Sequence, residues 1–495
     1  MEKESKQKEK GITVKKADDF SEWFTQLIQK AELADIRYGV QGFVVHMPWA
    51  IYLSRKIYEY FEAAVEADNH EPMLMPIVIP EENLKKEAEH AGFIPDVFWV
   101  TEAGTEKLER KLALRPTGET QIYPMYNLWI RSYHDLPFKR YQSRITVFRN
   151  EMTTRPFIRG REFMFFETHD VFATHEEAME QIKKDMGIMQ DVVTDKLLVP
   201  FIFFKRPQWD KFKGAENTFA SDTLNPDGRR IQISSTHDLG TNFAEAFHVM
   251  YMDKNGSEQY AHQTCFGPGI WRLIATLTAI HSDDQGLILP TEIAPTQIVI
   301  IPITFAGKES TEALRHAEDV AKTLKGMNYR VHLDKRDHIT PGEKYNIWEL
   351  KGVPIRLEIG PREAAAKTAT LVRRSDKKKE TIKTDKNTLE KEIQKQMKAI
   401  DTQIKENAQN YFKNNTKEAE TLKEVKATLD KHRGFVKVPF CSMELNGQEC
   451  ADVLKAQTTA IVCGTPLNEE KPKNSAHCCI CNKPAKHIVY IAKSV

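Results

Sequence analysis

One charged segment, residues 144–172, constrains the fold more than any other part of the chain. Because side chains alternate between the two faces of a strand, Arg149 and Glu151 would share one face of a strand. A turn-prone stretch at 153–156 follows, and it predicts a return strand in a hairpin. That strand would add three side chains to the same face: Arg159, Arg161 and Phe163.

Arginines gathered on one face of a hairpin repel each other unless an anion lies between them. Guanidinium groups bind phosphate oxygens in pairs. A carboxylate and an aromatic ring beside them match the amino edge and the face of a purine. The segment therefore predicts a site for a purine nucleotide. The alternative is an exposed charged hairpin in which Phe163 belongs to the core.

Length and composition limit the kind of protein. A chain of 495 residues predicts roughly three domains, and 41% hydrophobic residues suffice for their cores. A net charge of +1 argues against a uniformly basic nucleic-acid-coating protein. The first residues contain no apolar segment typical of a secretory signal, and the longest apolar run, 197–204, is too short to cross a membrane. We therefore expect a cytoplasmic protein without membrane association.

Composition and periodicity divide the chain into segments. Residues 1–16 are rich in Lys and Glu and predict a disordered tail. A large first domain follows at 17–290. Residues 291–375 alternate strand and helix patterns, which predicts a small α/β domain with a mixed sheet. The Lys/Glu/Gln-rich stretch 376–433 predicts a solvated connecting helix, and 434–495 contains most of the cysteines.

Six of the seven cysteines lie between residues 441 and 481. In a cytosolic chain such crowding indicates a metal site more than disulfides. Cys478 and Cys481 have the two-residue gap of a zinc knuckle, and Cys441 and Cys450 would complete a closed, structural site with four thiolates. Cys479 is an alternative to Cys478, and free thiols are the alternative to metal.

Five motifs, in order, resemble those of the class II aminoacyl-tRNA synthetases, and within that class those of the prolyl-tRNA synthetases of the archaeal and eukaryotic cytoplasmic type. They lie at 114–120, 148–151, 231–240, 262–267 with Arg272, and 356–363. The resemblance implies an α+β fold with three domains. These are an antiparallel-sheet catalytic domain at 17–290, an α/β anticodon-binding domain at 291–375, and, after the connecting segment, a small zinc-bearing α/β domain at 434–495.

The resemblance also implies the function. A homodimer would activate L-proline with ATP and Mg²⁺ to prolyl-adenylate, and would then transfer the prolyl group to the 3′ end of tRNA(Pro), with Zn²⁺ in a structural role. Two alternatives stay open: a class II synthetase for another amino acid, and a non-catalytic paralogue that binds tRNA or zinc. A pure binder would not need the ATP set, so Arg149, Glu151, Glu119 and Arg272 argue against the second.

Individual roles follow from the resemblance. Arg149 and Arg272 would be catalytic. The implied proline-binding residues are Thr117, Glu119, Arg149, His169 and His237. The implied ATP-binding residues are Arg149, Glu151, Arg159, Gly160, Phe163, Gln232, Ser235 and Arg272. The implied anticodon-binding residues are Arg356, Arg362 and Glu363. The implied metal ligands are Cys441, Cys450, Cys478 and Cys481.

The chain departs from the family pattern at a few positions. Thr168 precedes His169 where the family usually has Gly, and Gly118 stands in place of a Ser. Pro268 lies in a stretch that is one residue longer than the common form. None of these changes removes a charge that the reaction needs.

Overall fold

The structure, a computed structural model, describes residues 11–91, 96–303 and 311–495. Most of the tail predicted at 1–16 lies outside the described residues. None of the helices in the described ranges is long and apolar enough to span a membrane.

The first part of the chain is built on an antiparallel sheet. Its helices are α1 (Phe20–Lys30), α2 (Pro48–Ala67), α3 (Glu81–Ala91), α4 (Glu119–Trp129), α5 (His175–Gln190), α6 (Asn242–Phe247) and α7 (Ile270–His281). Its strands are β1 (Ala34–Asp35), β2 (Val45–His46), β3 (Glu71–Pro72), β4 (Val78–Pro80), β5 (Trp99–Ala103), β6 (Glu106–Leu114), β7 (Phe138–Phe148), β8 (Glu162–Phe172), β9 (Ile202–Lys205), β10 (Asn217–Leu224), β11 (Arg230–Gly240), β12 (Met250–Met252), β13 (Glu258–Tyr260) and β14 (His262–Pro268).

The central strands lie in the order β9-β10-β11-β14-β8-β7-β3, and every pair except β3 with β7 is antiparallel. Alternation along β8 places Phe166 on the face covered by α2 and α7, in the main hydrophobic core. Phe163, Phe165 and Glu167 lie on the other face. The antiparallel-sheet core predicted for this part is confirmed.

The predicted hairpin forms, but its charged residues do not lie on strands. β7 ends at Phe148 and β8 begins at Glu162, so Arg149, Glu151, Arg159 and Arg161 belong to the connecting loop. The chain leaves the sheet in a tight turn in which the backbone groups of Arg155 and Arg159 bond each other at 2.7 and 2.9 Å. Of the five predicted face-sharing residues, only Phe163 is in a strand.

The second part has the predicted strand and helix order. It comprises β15 (Ile298–Pro302), α8 (Thr311–Gly326), β16 (Val331–Leu333), α9 (Pro341–Leu350), β17 (Ile355–Ile359), α10 (Pro361–Ala366), β18 (Thr368–Arg373) and β19 (Lys379–Lys383). β15 pairs in parallel with β16 and β17, whereas β17, β18 and β19 pair antiparallel. The mixed sheet is confirmed.

The connecting stretch contains α11 (Lys386–Asn414), β20 (Thr416–Glu418) and α12 (Leu422–His432). α11 buries Leu389, Ile393 and Ile400 in the core of the α/β sheet. α12 buries Val425 and Leu429 in the core of the last part. The prediction of a solvated connecting helix is therefore wrong for these faces, since apolar side chains at helical spacing form a stripe among the charges.

The last part consists of β21 (Phe435–Phe440), α13 (Gln448–Thr458), β22 (Ala460–Pro466) and β23 (His487–Lys493). β22 pairs antiparallel with β9, so that Thr465 lies opposite Lys205. The strands of the first and last parts thereby form one sheet of 11 strands. Phe204 of β9 is fully buried at this junction, with its ring centroid 5.6 Å from that of Phe435 and 5.1 Å from that of Tyr490.

Candidate active site

Two adjoining cavities open on the face of the sheet that carries Phe163, Phe165 and Glu167. The larger has a volume of about 680 Å³ and the smaller about 300 Å³. Arg149, Phe163 and Arg272 line both cavities, so these side chains mark their junction.

Arg149 follows β7 directly, and its backbone N–H donates to the carbonyl of Arg161 at 3.0 Å. The side chain is exposed to the cavities, although the surrounding protein removes most of its hydration and lowers the pKa of Arg149. Within the described part of the chain, its guanidinium makes no hydrogen bond or ion pair; it lies 5.7 Å from the ring centroid of Phe163. A partly desolvated guanidinium without a partner is a site for an anion.

Arg272 lies in the first turn of α7 and is fixed by backbone carbonyls. Its Nε donates to Ile158 and its Nη1 donates to Gln232, both at 3.1 Å. Burial, together with the neighbouring charges of Arg149 and Arg159, lowers the pKa of Arg272 to about 10. The two predicted catalytic arginines therefore lie close together with little negative charge between them.

The loop after β7 supplies part of the lining of the larger cavity. Arg159, Gly160 and Glu151 all line it, and the Arg159 Nε lies 3.8 Å from a Glu151 carboxylate oxygen. A Cβ at Gly160 would lie 2.8 Å from the carbonyl oxygen of Glu162, so the backbone passes too closely for any larger residue. Arg161 does not line the cavity; its Nε donates to the carbonyl of Glu151 at 3.0 Å and supports the loop.

Three carboxylates line the smaller cavity, those of Glu119, Glu167 and Asp210. Glu119 begins α4, is only 2% exposed and accepts a hydrogen bond from the hydroxyl of Thr117. Glu167 lines the same cavity, and a Cβ at Gly118 would lie 2.4 Å from its carboxylate oxygen. Gly118 is therefore required for the close approach of Glu167, which explains why this position lacks the usual Ser.

The two predicted pocket histidines differ in placement. His237 lines the smaller cavity, and burial lowers the pKa of His237 to about 3, so the ring is neutral at physiological pH. His169 is fully buried and does not line either cavity. Its Nε2 lies 3.1 Å from Glu167, and although burial disfavours the imidazolium, the Glu167 carboxylate raises the pKa of His169 overall.

Gln232 and Ser235 of β11 also line the smaller cavity. The Gln232 Oε1 accepts from the Nη2 of Arg206 at 3.0 Å. Arg206 in turn binds Asp222 with two hydrogen bonds of 2.8 Å, and Arg230 binds the same carboxylate. The side chain of Gln232 is thus held in place by a buried ion-pair cluster.

Sequence reasoning missed several residues of the smaller cavity: Phe165, Glu167, Phe212 and Cys265. The signal for two of them was present, because Phe165 and Glu167 follow Phe163 at two-residue steps along β8. The Phe165 ring lies against Gly267, where a Cβ would come within 2.4 Å of it. Phe212 and Cys265 reach the cavity through strand pairing and a loop, for which the sequence offers no local signal.

The predicted anticodon residues have different surroundings. Arg356 is only 8% exposed, because its Nη1 donates to Glu349 at 2.9 Å, its Nε donates to Glu358 at 3.0 Å, and its guanidinium lies over the ring of Tyr345. Arg362 is exposed in the first turn of α10. Glu363 caps that helix by accepting from the N–H of Gly360 at 3.0 Å.

Four cysteine sulfurs in the last part lie within 4.8 Å of one another: those of Cys441, Cys450, Cys478 and Cys481. The Cys441 and Cys450 sulfurs are 3.7 Å apart, close to the roughly 3.8 Å expected between thiolates in a tetrahedral zinc site with Zn–S bonds of about 2.3 Å. Hydrogen bonds lower the pKa of Cys478 to about 4, and the hydrogen bond from the Cys479 thiol has the largest effect. The geometry groups Cys478, and not Cys479, with the other three.

Family comparisons agree with this architecture along the chain. Residues 98–281 match the class II tRNA synthetase core domain of the G, H, P, S and T enzymes. Residues 297–396 match an anticodon-binding domain, and residues 422–494 match the C-terminal domain of prolyl-tRNA synthetase.

Two curated relatives are similar over nearly their whole length. The proline–tRNA ligase of Thermofilum pendens is 51% identical over 98% of this chain and 99% of its own. That of Thermococcus kodakarensis is 41% identical over 97% of this chain and 98% of its own.

Solved structures give the same result. The prolyl-tRNA synthetase of Giardia lamblia in complex with prolyl-adenylate superposes with a TM-score of 0.92 at 33% identity, covering 98% of this chain and all of that one. The Cryptosporidium parvum enzyme with halofuginone and AMPPNP has a TM-score of 0.92 at 31% identity, and each chain is covered to 99%. The chain therefore belongs to the prolyl-tRNA synthetase family of the class II aminoacyl-tRNA synthetases.

Proposed function

We propose that this chain is a proline–tRNA ligase, which forms prolyl-adenylate from L-proline and ATP and then transfers the prolyl group to the 3′ end of tRNA(Pro). One observation carries the proposal. The unpartnered guanidinium of Arg149 lies where a carboxylate-lined cavity meets an arginine-lined one. The ammonium of an amino acid fits the smaller, carboxylate-lined cavity, and a nucleoside triphosphate fits the larger, arginine-lined cavity. Arg149 lies where the reacting carboxylate and α-phosphate would meet.

The first step needs no general base, because the proline carboxylate is already a nucleophile. Its oxygen attacks the α-phosphorus, and the bond to the bridging oxygen of pyrophosphate breaks. Arg149 holds the carboxylate and the α-phosphate together and stabilises the charge that develops between them. Arg159 and Arg272 bind the departing phosphates. Gln232 and Ser235 are the polar groups that would hold Mg²⁺ beside the ATP phosphates, and the ion would neutralise part of the phosphate charge.

The nucleotide base occupies the larger cavity. Phe163 stacks on the adenine ring, and the Glu151 carboxylate accepts from its exocyclic amino group. Arg161 supports the loop after β7 from behind and does not contact the nucleotide.

Proline occupies the smaller cavity. Its secondary ammonium offers two N–H donors, and Glu119 and Thr117 provide acceptors for both. Neutral His237 borders the pyrrolidine ring. His169 acts through Glu167 instead of contacting the substrate, since Glu167 lies between it and the cavity.

Association with tRNA rests on the α/β domain. Arg362 is exposed at the start of α10, where a guanidinium can bind an unpaired anticodon base through two hydrogen bonds, and the half-buried Glu363 lies beside it. We assign Arg356 to the fold of this domain, because its donors are already occupied by Glu349 and Glu358.

We further propose a cytoplasmic homodimer with one structural Zn²⁺ per chain. Large apolar side chains are exposed in the catalytic part at Leu74 (76%), Leu128 (55%) and Trp129 (43%), as expected of a surface covered by a second copy. Sedimentation that returns the mass of a single chain at micromolar concentration would contradict the dimer.

The four grouped thiolates fill all positions of a tetrahedral ion, so the zinc has no open site for chemistry.

The test of the function is amino-acid-dependent exchange of labelled pyrophosphate into ATP, run with each of the twenty amino acids. Proline should give the fastest exchange, because its ring and secondary ammonium fit the smaller cavity. Fastest exchange with another amino acid would assign this site to a different substrate. No exchange with any amino acid, from folded protein supplied with Mg²⁺, would identify a non-catalytic paralogue.

The role of Arg149 predicts the effect of its removal. Arg149→Ala should slow proline-dependent exchange by about 100-fold or more, since it deletes a charge that acts on the transition state. Arg144→Ala is the matched control, because Arg144 lies in β7 but binds Glu62 away from the cavities. Equal loss in the two variants would contradict the assignment.

The role of Arg362 predicts a separation of the two reaction steps. Arg362→Ala should leave exchange unchanged and slow the charging of tRNA about tenfold, since a bidentate arginine contact to a base contributes about 1–3 kcal/mol. Charging is measured with tRNA(Pro) transcripts below saturation. Unchanged charging would remove Arg362 from the anticodon-reading surface.

The cysteine group predicts one zinc per chain by elemental analysis. Cys481→Ser should lose that zinc and lower the thermal unfolding midpoint of the last part of the chain, because metal binding contributes to its folding. Cys463→Ser is the control, since Cys463 lies in β22 outside the group. Full zinc content in Cys481→Ser would exclude this ligand set.

A further inference from the structure

The loop between β9 and β10 contacts the last part of the chain on one side. The backbone N–H of Gln208 donates to the carbonyl of Met443 at 2.9 Å. Trp209 packs against the hydrophobic core of the last part, with its ring centroid 6.3 Å from that of Phe440. A Cβ at Gly447 would come within 3.0 Å of the Trp209 ring, so the indole packs directly against the backbone of Gly447.

The same loop forms a wall of the smaller cavity on its other side. Asp210, Lys211 and Phe212 all line that cavity. The ring centroid of Phe212 lies 4.6 Å from that of His237. The hydroxyl of Thr218 accepts from the N–H of Phe212 at 2.9 Å and lies 3.0 Å from the His237 Nδ1.

The two ends of the loop are fixed independently of its middle. Arg206 is held at the start by Asp222 and by a backbone hydrogen bond of 2.8 Å to Thr218. Phe212 is held at the end by Thr218. Between them, the N–H of Asp210 donates to the carbonyl of Pro207 at 2.9 Å, and the N–H of Gln208 donates to that of Met443. The side chains of Gln208 and Lys211 make longer hydrogen bonds, of 3.5 and 3.4 Å, to the carbonyl of Glu216. The position of the middle of the wall therefore depends on the contacts of Gln208 and Trp209 with the last part of the chain.

We propose that Trp209 is a positioning residue for proline binding: it holds the middle of the 206–213 loop on the C-terminal core, and so holds Asp210 and Lys211 at the amino-acid cavity. The inference rests on the proposed function, because it takes proline as the ligand of the smaller cavity. Trp209 itself does not line either cavity. The C-terminal part thus acts on amino-acid binding through the packing of one indole ring.

The test compares Michaelis constants in the pyrophosphate exchange assay. Trp209→Ala should raise KM for proline about tenfold, because a small displacement of a substrate-positioning wall has large kinetic effects. KM for ATP should change less than about twofold, since Arg149, Arg272 and Phe163 are held by other elements. Trp209→Phe should restore most of the affinity for proline, because a second aromatic ring can pack against Phe440.

Tyr411→Phe is the matched control. The Tyr411 hydroxyl donates to the carbonyl of Asn225 at 2.6 Å, which ties α11 to the catalytic part away from both cavities. Phe440→Leu removes the other ring of the contact between Trp209 and Phe440. If Trp209→Ala does not fold, Phe440→Leu should still raise KM for proline. Combined with Trp209→Ala, it should add less than the sum of the two single effects.

Two results would overturn the inference: a lower unfolding midpoint with unchanged KM for proline, or equal increases in KM for proline and ATP. Either would give Trp209 a purely structural role. Failure of the wild-type chain to exchange with proline would instead count against the proposed function, so the two outcomes are distinguishable.

Discussion

The candidate site depends on positive charge that the protein itself leaves unbalanced. Arg149 and Arg272 lie at the cavity junction, and Arg159 lines the larger cavity, where it is paired with Glu151. Their mutual repulsion, together with burial, is reflected in the lowered pKa of Arg272. The fold holds Arg272 in place with backbone carbonyls instead of a counter-ion. A polyanionic substrate therefore supplies the charge that completes the site.

The sheet gives this arrangement its rigidity. Residues of β7, β8, β11 and β14 place one side chain after another on the cavity face at two-residue steps. The sheet continues through β9 into β22, so the cysteine-bearing part is built onto the catalytic part rather than tethered to it. This continuity is what allows contacts at Phe440 and Met443 to act on the wall of the amino-acid cavity.

Strand and helix patterns predicted the mixed sheet because they are local signals, and the resemblance of five motifs to a known family implied the fold class and the residues that line the cavity junction. It misplaced Arg149 and Glu151 on a strand, since the turn that ends β7 depends on backbone bonds between Arg155 and Arg159. The burial of Arg356 could not be predicted from the sequence, because it depends on a tertiary contact with Glu349. The same is true of His169, which lies behind Glu167.

The most direct measurement is a crystal structure of the chain with a non-hydrolysable prolyl-adenylate analogue. The account predicts the acyl-phosphate mimic within hydrogen-bond distance of Arg149, the adenine against Phe163, and the pyrrolidine ring beside His237 in the smaller cavity. An analogue bound with its adenine in the smaller cavity, or with no contact to Arg149, would contradict the account.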